Sequence, residues 1–514
     1  MSAFRAFTTR IPRSLRRLPG PTRQTRFLST TKPWNSGQDT VLNDEFARQV
    51  AVDDPFPEKR LPATPKRNAN PASQFPDHGL PVMSLRDMCT CPRCVDPSTR
   101  QKLFVTAEIP SDIALESVQE LPHGVEIRWA NDIPGLDPHV SVFDKSIFDA
   151  MATTGSSKTL PPMPRRRLWK DDQFRAEVPD CTYEAYMQDD AVLYQALQKL
   201  HSHGLLFLKN VPESPESVIR ITNRIGPLKN TFYGETWDVR SVPQAKNVAY
   251  TSQDLGFHMD LLYMKQPPHL QFLHCIRSSA SGGASLFTDS FKAINELFLS
   301  DQEAFCQLEK RPITFHYDHI DSHYYQQSRP LIELAPLNFG TTSFTKFSDV
   351  RQVDDKFGRS WIRDTFKLSD YLEAVSWAPP FQAPFQLTNK HIRPASAAKN
   401  HPIANMEVNI RHWHGAAKKF NDIIHRKENI HERMMKPGEC VIFDNRRVLH
   451  ARKAFEVADA GKERWLRGAY LDKDPFMSKL RVLAHRFSTQ KDSVMTKGAE
   501  EQLMLWLRDE RKQR

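Results

Sequence analysis

The chain has 514 residues, 39% of them hydrophobic and 26% charged, which fits a soluble globular protein of two to four domains with ample length for a core. No apolar run approaches the roughly 18 residues that a transmembrane helix needs. The formal charge is +10, and seven cysteines in this length exclude a secreted disulfide framework.

The location of the charge matters more than its sum. Residues 1–31 carry seven arginines (Arg5, Arg10, Arg13, Arg16, Arg17, Arg23 and Arg26), frequent Ser and Thr, and no acidic residue. That is the composition of a mitochondrial transit peptide, with a processing region near Arg26-Phe27-Leu28-Ser29. The +10 of the whole chain, less these seven, leaves about +3. The basic excess then reads as an address to the mitochondrial matrix. It does not read as a nucleic-acid footprint, because no aromatic interleaving or glycine-basic repeat accompanies it. Neither nucleic acid nor membrane is an expected partner.

Residues 32–77 are rich in Pro, Asn, Asp and Arg with little apolar periodicity, and read as a disordered linker. Residues 78–152 read as a small β-rich unit. It contains Cys89-Thr90-Cys91-Pro92-Arg93-Cys94, a spacing that puts three thiolates within one tight turn and suits a tetrahedral soft-ligand site. The next candidate for a fourth ligand is His139, which follows the strand-like stretch Gly124–Trp129. Three Cys and one His would make a closed structural zinc site. Residues 153–182, with Pro164-Arg165-Arg166-Arg167, read as an inter-domain linker.

From 183 to 487 the pattern changes. Asp190–His203 reads as an amphipathic helix stopped by Gly204, and Leu205–Val211 as a buried strand. Ser217–Arg224 is a second helix, closed by Gly226. Thr231–Trp237 is aromatic and loop-like. Asn247–Ser252 is β-prone, Gln253–Gly256 a turn, and Phe257–Tyr263 an extended run. In a strand, His258 and Asp260 project to one face. They would supply two ligands of a facial two-His-one-carboxylate iron site. Alone, such a triplet means little in a chain with 19 His and 61 acidic residues.

Strands are expected at Leu270–Ile276 and Ser285–Phe287, with a turn at Ser281–Ala284. Two short helices follow, the second opened by a capping box at Ser300–Glu303. The order of elements in 312–405 cannot be read. Trp413–Arg426 is helical by periodicity. Pro437-Gly438 then feeds a buried strand that ends near His450. Fourteen residues further on, Arg464 opens another strand, where a guanidinium can hold a carboxylate in bidentate fashion. Residues 488–514 read as a helical tail. On residue types alone a zinc hydrolase, a non-catalytic binding protein and an iron oxygenase all remain open. Arg464 and the lack of an obvious general base favour the oxygenase over the hydrolase.

His258-x-Asp260, the distal His450 and Arg464 stand in the order of a four-part pattern. It resembles the taurine-dioxygenase-like Fe(II)/2-oxoglutarate oxygenases. More closely, the chain resembles the γ-butyrobetaine and trimethyllysine dioxygenases of carnitine biosynthesis, through Thr231–Trp237, Asn247–Tyr250, Gln271–Ile276, Phe443–His450 and Gly468–Tyr470. The resemblance implies a double-stranded β-helix (jelly roll) with flanking helices, mainly β, behind an N-terminal zinc domain using Cys89, Cys91, Cys94 and His139. It implies Fe(II) on His258, Asp260 and His450. It also implies 2-oxoglutarate on Arg464 with Ser285 assisting, ascorbate as reductant, O2 as cosubstrate, and a homodimer. Tyr233, Trp237, Tyr250 and Tyr470 match an aromatic cage for a trimethylammonium group, and Asn247 is kept beside it. The implied reaction converts γ-butyrobetaine to carnitine. Leu261 and Trp377-Ala378-Pro379-Pro380 depart from the butyrobetaine pattern. They keep trimethyllysine, or another quaternary-ammonium substrate, as alternatives.

Overall fold

The computed structural model describes residues 81–136, 138–147, 163–240, 253–279, 282–339, 342–344, 346–347, 367–385, 402–456 and 464–489. The expected transit peptide and first linker, Asn247, Tyr250 and the tail beyond 489 lie outside the described residues. The chain forms two compact units, Met1–Ser157 and Lys158–Arg514.

The first unit has a short helix, α1 (Val82–Asp87), and three antiparallel strands, β1 (Ala114–Leu121), β2 (Gly124–Ala130) and β3 (Val140–Asp144), in the order β1-β2-β3. Along β2, Val125, Ile127 and Trp129 alternate inward and pack with Leu85, Phe104 and Phe143 around Cys89 and Cys94. This is the period-two signature of a half-buried strand.

The second unit begins earlier than the sequence reading placed it. Residues 163–182 are not a linker. They hold α2 (Asp171–Glu177) and β4 (Cys181–Thr182), and Trp169 and Phe174 are buried in the core. The Trp169 indole N–H donates to the His203 carbonyl at 2.7 Å. Then come α3 (Tyr183–Gln188), α4 (Asp190–His203), β5 (Leu205–Lys209), α5 (Glu216–Ile225) and β6 (Thr236–Arg240). Helix α4 ends where expected, on Gly204 at φ 78°, a left-handed cap that glycine adopts without strain.

The strands β7 (Leu255–His258), β8 (Leu270–Arg277) and β9 (Ser285–Asp289) follow, then α6 (Ser290–Ser300) and α7 (Gln302–Lys310). The cap of α7 is Asp301, which accepts from the Ala304 N–H; the Ser300 hydroxyl turns back to the Glu296 carbonyl. The expected capping box at Ser300 therefore does not form, and the N-cap falls one residue later, on Asp301. A long hairpin, β10 (Pro312–His319) with β11 (His323–Pro330), precedes β12 (Ile332–Leu334), β13 (Leu337–Phe339) and β14 (Thr342–Phe344). Next are α8 (Leu368–Tyr371), β15 (Leu372–Val375) and α9 (Pro402–Ile424), which starts well before Trp413. The last elements are β16 (Ile430–Arg433), β17 (Glu439–Asp444), β18 (Val448–Arg452), β19 (Trp465–Leu471) and α10 (Lys473–Thr489). Helices occupy about as much of the described chain as strands, so the unit is mixed α and β where a mainly β fold was expected.

Two sheets carry the site. One has six strands in the order β4-β5-β17-β8-β19-β6, and the other four in the order β16-β9-β18-β7. All pairings are antiparallel except β4 with β5. Phe287 of the smaller sheet meets Phe207 and Phe443 of the larger at 5.7 and 5.6 Å between ring centroids, so the two sheets share one core. Each such fully buried ring contributes roughly 1.5–3 kcal/mol. The expected single strand running to His450 is really two, β17 and β18. The turn Asn445-Arg446-Arg447 carries the chain from the larger sheet to the smaller.

The core also buries histidines as neutral rings. His274 is fully buried, and burial pushes its pKa down to about 4; His201 is pushed down to about 4 by burial and then by Arg166. In the unfolded chain both titrate near 6.5. The unfolded state therefore binds more protons between about pH 4 and 6.5, and the stability these rings contribute is present above that window and lost as pH falls through it. The melting temperature is expected to drop between pH 7 and pH 5, and to drop less in His274→Leu. A melting temperature that is flat over this range, by scanning calorimetry, would contradict this.

Candidate active site

His258 closes β7 and His450 sits on β18, and the two are direct partners in the antiparallel register. Opposed residues of a pair share a face, so both imidazoles enter the same space, with centroids 4.1 Å apart. Asp260 arrives differently from the sequence expectation. The strand stops at His258, and Asp260 lies in the turn that follows, so period-two alternation is not what brings it round. Leu261 takes φ +60°, the left-handed region, which costs a non-glycine residue roughly 1–2 kcal/mol. That reversal turns the chain immediately after Asp260. Asp260 Oδ1 is 3.4 Å from His258 Nε2 and 3.9 Å from His450 Nε2.

Neighbouring groups set the state of each donor. The His258 Nδ1–H donates to the Gly256 carbonyl at 2.9 Å, which leaves the Nε2 lone pair facing Asp260. Burial, and then the proximity of His258, push His450 down to about 3, so it is neutral. Burial alone would raise the Asp260 carboxyl. The adjacent His258 and His450 rings and the Tyr470 hydroxyl, donating at 2.6 Å, outweigh it and hold the group well below the carboxylate range. One donor atom from each of the three residues lies within 4.8 Å of the others. Two imidazoles and one carboxylate converging on one point can hold a divalent cation and leave its remaining positions open. The donor set therefore fits Fe(II).

Arg464 stands immediately before β19 and is only 5% exposed. Burial, and then the nearby Arg452, push its pKa down to about 10; it stays charged. Among the described residues no carboxylate pairs with it. The Phe455 ring lies beneath both guanidinium groups, at 4.8 Å from Arg452 and 5.7 Å from Arg464. Ser285 opposes Arg452 in the β9–β18 register. A buried cation without an acidic partner can receive a ligand carboxylate in bidentate fashion.

The expected cage residues are partly brought together. Trp237, on β6, stacks on Tyr470 of β19 at 3.9 Å and 23°. Gly468 opposes Trp237 in the register, and a Cβ there would overlap the indole, so glycine at this position is what lets the ring lie flat. Tyr470 thus joins the aromatic wall to the metal-ligand carboxylate. Tyr233 belongs to an aromatic group close to Tyr470: its hydroxyl is 3.4 Å from that of Tyr263, and its ring packs on Phe232 at 4.1 Å and edge-on to Tyr317 at 6.3 Å. Tyr263 also meets Tyr317 and Phe381, each at 5.3 Å. Tyr263, Tyr317 and Phe381 were missed in the sequence. Tyr263, three residues past Asp260, had a local signal; the other two come from the stretch whose order could not be read.

The description "Taurine catabolism dioxygenase TauD, TfdA family" belongs to the family model that matches residues 162–470, which span every residue of this site. The chain belongs to this family. A second model, "Gamma-butyrobetaine hydroxylase-like, N-terminal", matches residues 74–139. The dioxygenase is 33% identical to Dioxygenase str8 of Strobilurus tenacellus over 422 residues, 78% of this chain and 85% of that one. It is 29% identical to Gamma-butyrobetaine dioxygenase of Homo sapiens over 416 residues, 79% and 91% of the two chains. With the mitochondrial Trimethyllysine dioxygenase of Homo sapiens it shares 24% over 406 residues, 78% and 81%. The chain is a 2-oxoglutarate-dependent dioxygenase, and Fe(II) and 2-oxoglutarate are the cofactor and cosubstrate of its family.

The first unit of this dioxygenase holds a second donor set. The sulfurs of Cys89, Cys91 and Cys94 lie 3.4, 3.3 and 3.3 Å from His139 Nε2. Three thiols and an imidazole within 4.8 Å of one another match a tetrahedral soft-metal site. Burial, and then the charge of Cys89, push the Cys94 thiol up to about 12, so a bound cation is needed to draw off its proton. His139 Nδ1–H donates to Asp132 at 2.8 Å, and Asp132 is ion-paired with the fully buried Arg86. Arg86 also points Nη1 at Cys94 Sγ, 3.4 Å away. Asp132 and Arg86 carried no sequence signal, because nothing in their spacing ties them to the cysteines.

Proposed function

We propose that this dioxygenase hydroxylates a small trimethylammonium carboxylic acid, with γ-butyrobetaine as the first candidate. In this reading His258, Asp260 and His450 hold Fe(II), and Arg464 holds the distal carboxylate of 2-oxoglutarate with Ser285 beside it. The two packed sheets are the double-stranded β-helix, and Cys89, Cys91, Cys94 and His139 hold a structural zinc. Bound Fe(II) supplies the oxidative chemistry that turns 2-oxoglutarate and O2 into succinate, CO2 and a hydroxylated product. The chain supplies position. A neutral His450, the Nε2 of His258 and an ionised Asp260 face the cation position, and Arg464 sets the direction from which the cosubstrate enters.

The observation that carries the substrate class is the Trp237–Tyr470 stack, whose tyrosine hydroxyl bonds Asp260. It sets an aromatic face next to the metal donors. A quaternary ammonium cannot donate a conventional hydrogen bond, and aromatic faces are its natural partners. Relatives named for γ-butyrobetaine and for trimethyllysine support the same class. Trp237→Ala is expected to raise KM for a trimethylammonium substrate about tenfold or more, the scale of one desolvated cation–π contact, while KM for 2-oxoglutarate moves less than about twofold. Equal rises in both would make Trp237 a packing residue only.

A specific observation favours a second reading of the substrate's far end. Trp377 is buried and its carbonyl accepts the Met259 N–H at 2.8 Å, so Trp377–Phe381 runs along the metal-binding turn. With Leu261 buried beside it, this border offers apolar and aromatic surface where a butyrobetaine carboxylate would need a donor. Trimethyllysine, or another acid with the same cationic head, fits the stack equally well.

A further inference from the structure

The turn between β17 and β18 places three consecutive polar residues in three directions. Arg447 is buried and pairs with Asp289 through Nε at 3.0 Å and Nη2 at 2.8 Å, and it also donates to the Ser202 carbonyl. Arg446 bonds Glu333 at 2.9 Å, and its carbonyl accepts the Val375 N–H. These contacts anchor the turn to the core. Asn445, wholly buried, points the third way. Its Oδ1 accepts the Asp260 N–H at 2.8 Å, and its Nδ2 donates to the Asp260 carbonyl at 3.0 Å and to the Pro268 carbonyl at 3.2 Å. Its own backbone N–H donates to the His269 carbonyl at 2.7 Å.

One amide therefore grips both peptide groups of a single residue, Asp260. The residue it grips precedes Leu261, whose left-handed φ of +60° a leucine does not hold unaided. Released, the segment would relax toward ordinary backbone and carry the carboxylate off the histidines. Asn445 also lies five residues before His450 on the same turn and strand. We propose that Asn445 is a positioning residue for the metal site: it locks the strained Asp260–Leu261 turn so that the Asp260 carboxylate meets His258 and His450. This rests on the reading of those three residues as metal ligands. A buried asparagine with every polar atom committed to a backbone 185 residues away is otherwise hard to account for, because an apolar side chain would leave fewer groups to satisfy.

The test uses the full zinc-loaded chain and Mn(II) alone as probe, a hard cation that the cysteine cluster does not favour. Free Mn(II) is counted by its EPR signal, and folding is followed by circular dichroism on the same samples. Asn445→Ala and the nearly isosteric Asn445→Asp are expected to weaken Mn(II) binding about tenfold or more, the usual cost of losing a partner that orients a ligand. Asn445→Asp decides between position and charge. An added carboxylate near a dication would tighten binding by charge alone, so weaker binding reports misplacement of Asp260. Unchanged or tighter Mn(II) binding by folded Asn445→Asp overturns the proposal, as does a lower melting temperature with unaltered affinity. His258→Ala is the companion variant and should lose Mn(II) altogether. If it retains the ion, the metal assignment itself fails, and the proposal with it.

Discussion

His258→Ala is expected to abolish 2-oxoglutarate turnover while the protein still folds. The substitution removes one of the three donors and leaves an imidazole and a carboxylate, too few to hold Fe(II) against water. The loss should exceed the roughly 100-fold that removal of an orienting partner costs, because here the ligand itself is gone. Folding should survive. His258 closes a four-residue strand, and Asp260 keeps the Tyr470 hydroxyl and both hydrogen bonds with Asn445. Succinate release measured beside circular dichroism separates the two effects, and turnover retained in a folded variant would sink the iron assignment.

The second large effect belongs to the N-terminal unit. On the proposed zinc assignment, chelation, or replacing Cys94 by serine, is expected to unfold that unit. Its apolar core is small, and Cys89 and Cys94 sit inside it. A structural zinc supplies about 10–16 kcal/mol of apparent binding energy at neutral pH, more than so small a core supplies by burial. Without the cation, the protonated Cys94 and the charged Asp132–Arg86 pair remain buried around an empty centre. The expected result is one zinc per wild-type chain, none in Cys94→Ser, and early proteolytic loss of the segment up to about residue 150 in the variant. A variant that is as resistant as wild type after chelation would show that the cluster is not structural.

Much of this was legible in the sequence where the cause is local. Helix α4 announces itself by apolar spacing, and its end by a glycine that alone accepts φ 78°. The three cysteines could be grouped by their spacing, and His139 was joined to them through the family resemblance. His258 and Asp260 were found by their types, but the geometry inferred for them was wrong. Strand alternation was the reason given, but Asp260 lies in the turn after the strand, where its backbone is hydrogen-bonded by Asn445, far along the chain. Nothing local marks such a grip, since it acts on backbone groups that every residue has. The misread linker has a similar origin. Arg165-Arg166-Arg167 looks solvated, yet the Arg167 and Arg166 side chains reach Glu177 and the Leu372 carbonyl, while Trp169 fills the core. Polar composition was taken for exposure. Tyr317 and Phe381 were hidden because the sequence between 312 and 405 keeps no steady hydrophobic period.

The account's central claim is tested most directly by succinate formation from 2-oxoglutarate. The purified full chain, with Fe(II) and ascorbate, would be compared with no addition, with γ-butyrobetaine and with trimethyllysine. Stimulation by one of the two trimethylammonium acids, lost in Trp237→Ala at the same concentration, is the predicted result, with γ-butyrobetaine the expected stimulant. Stimulation by trimethyllysine alone would assign the apolar border at Trp377–Phe381 to that longer substrate. Stimulation by neither, with Fe(II) and 2-oxoglutarate both bound, would contradict the claim that the Trp237–Tyr470 stack receives a trimethylammonium group.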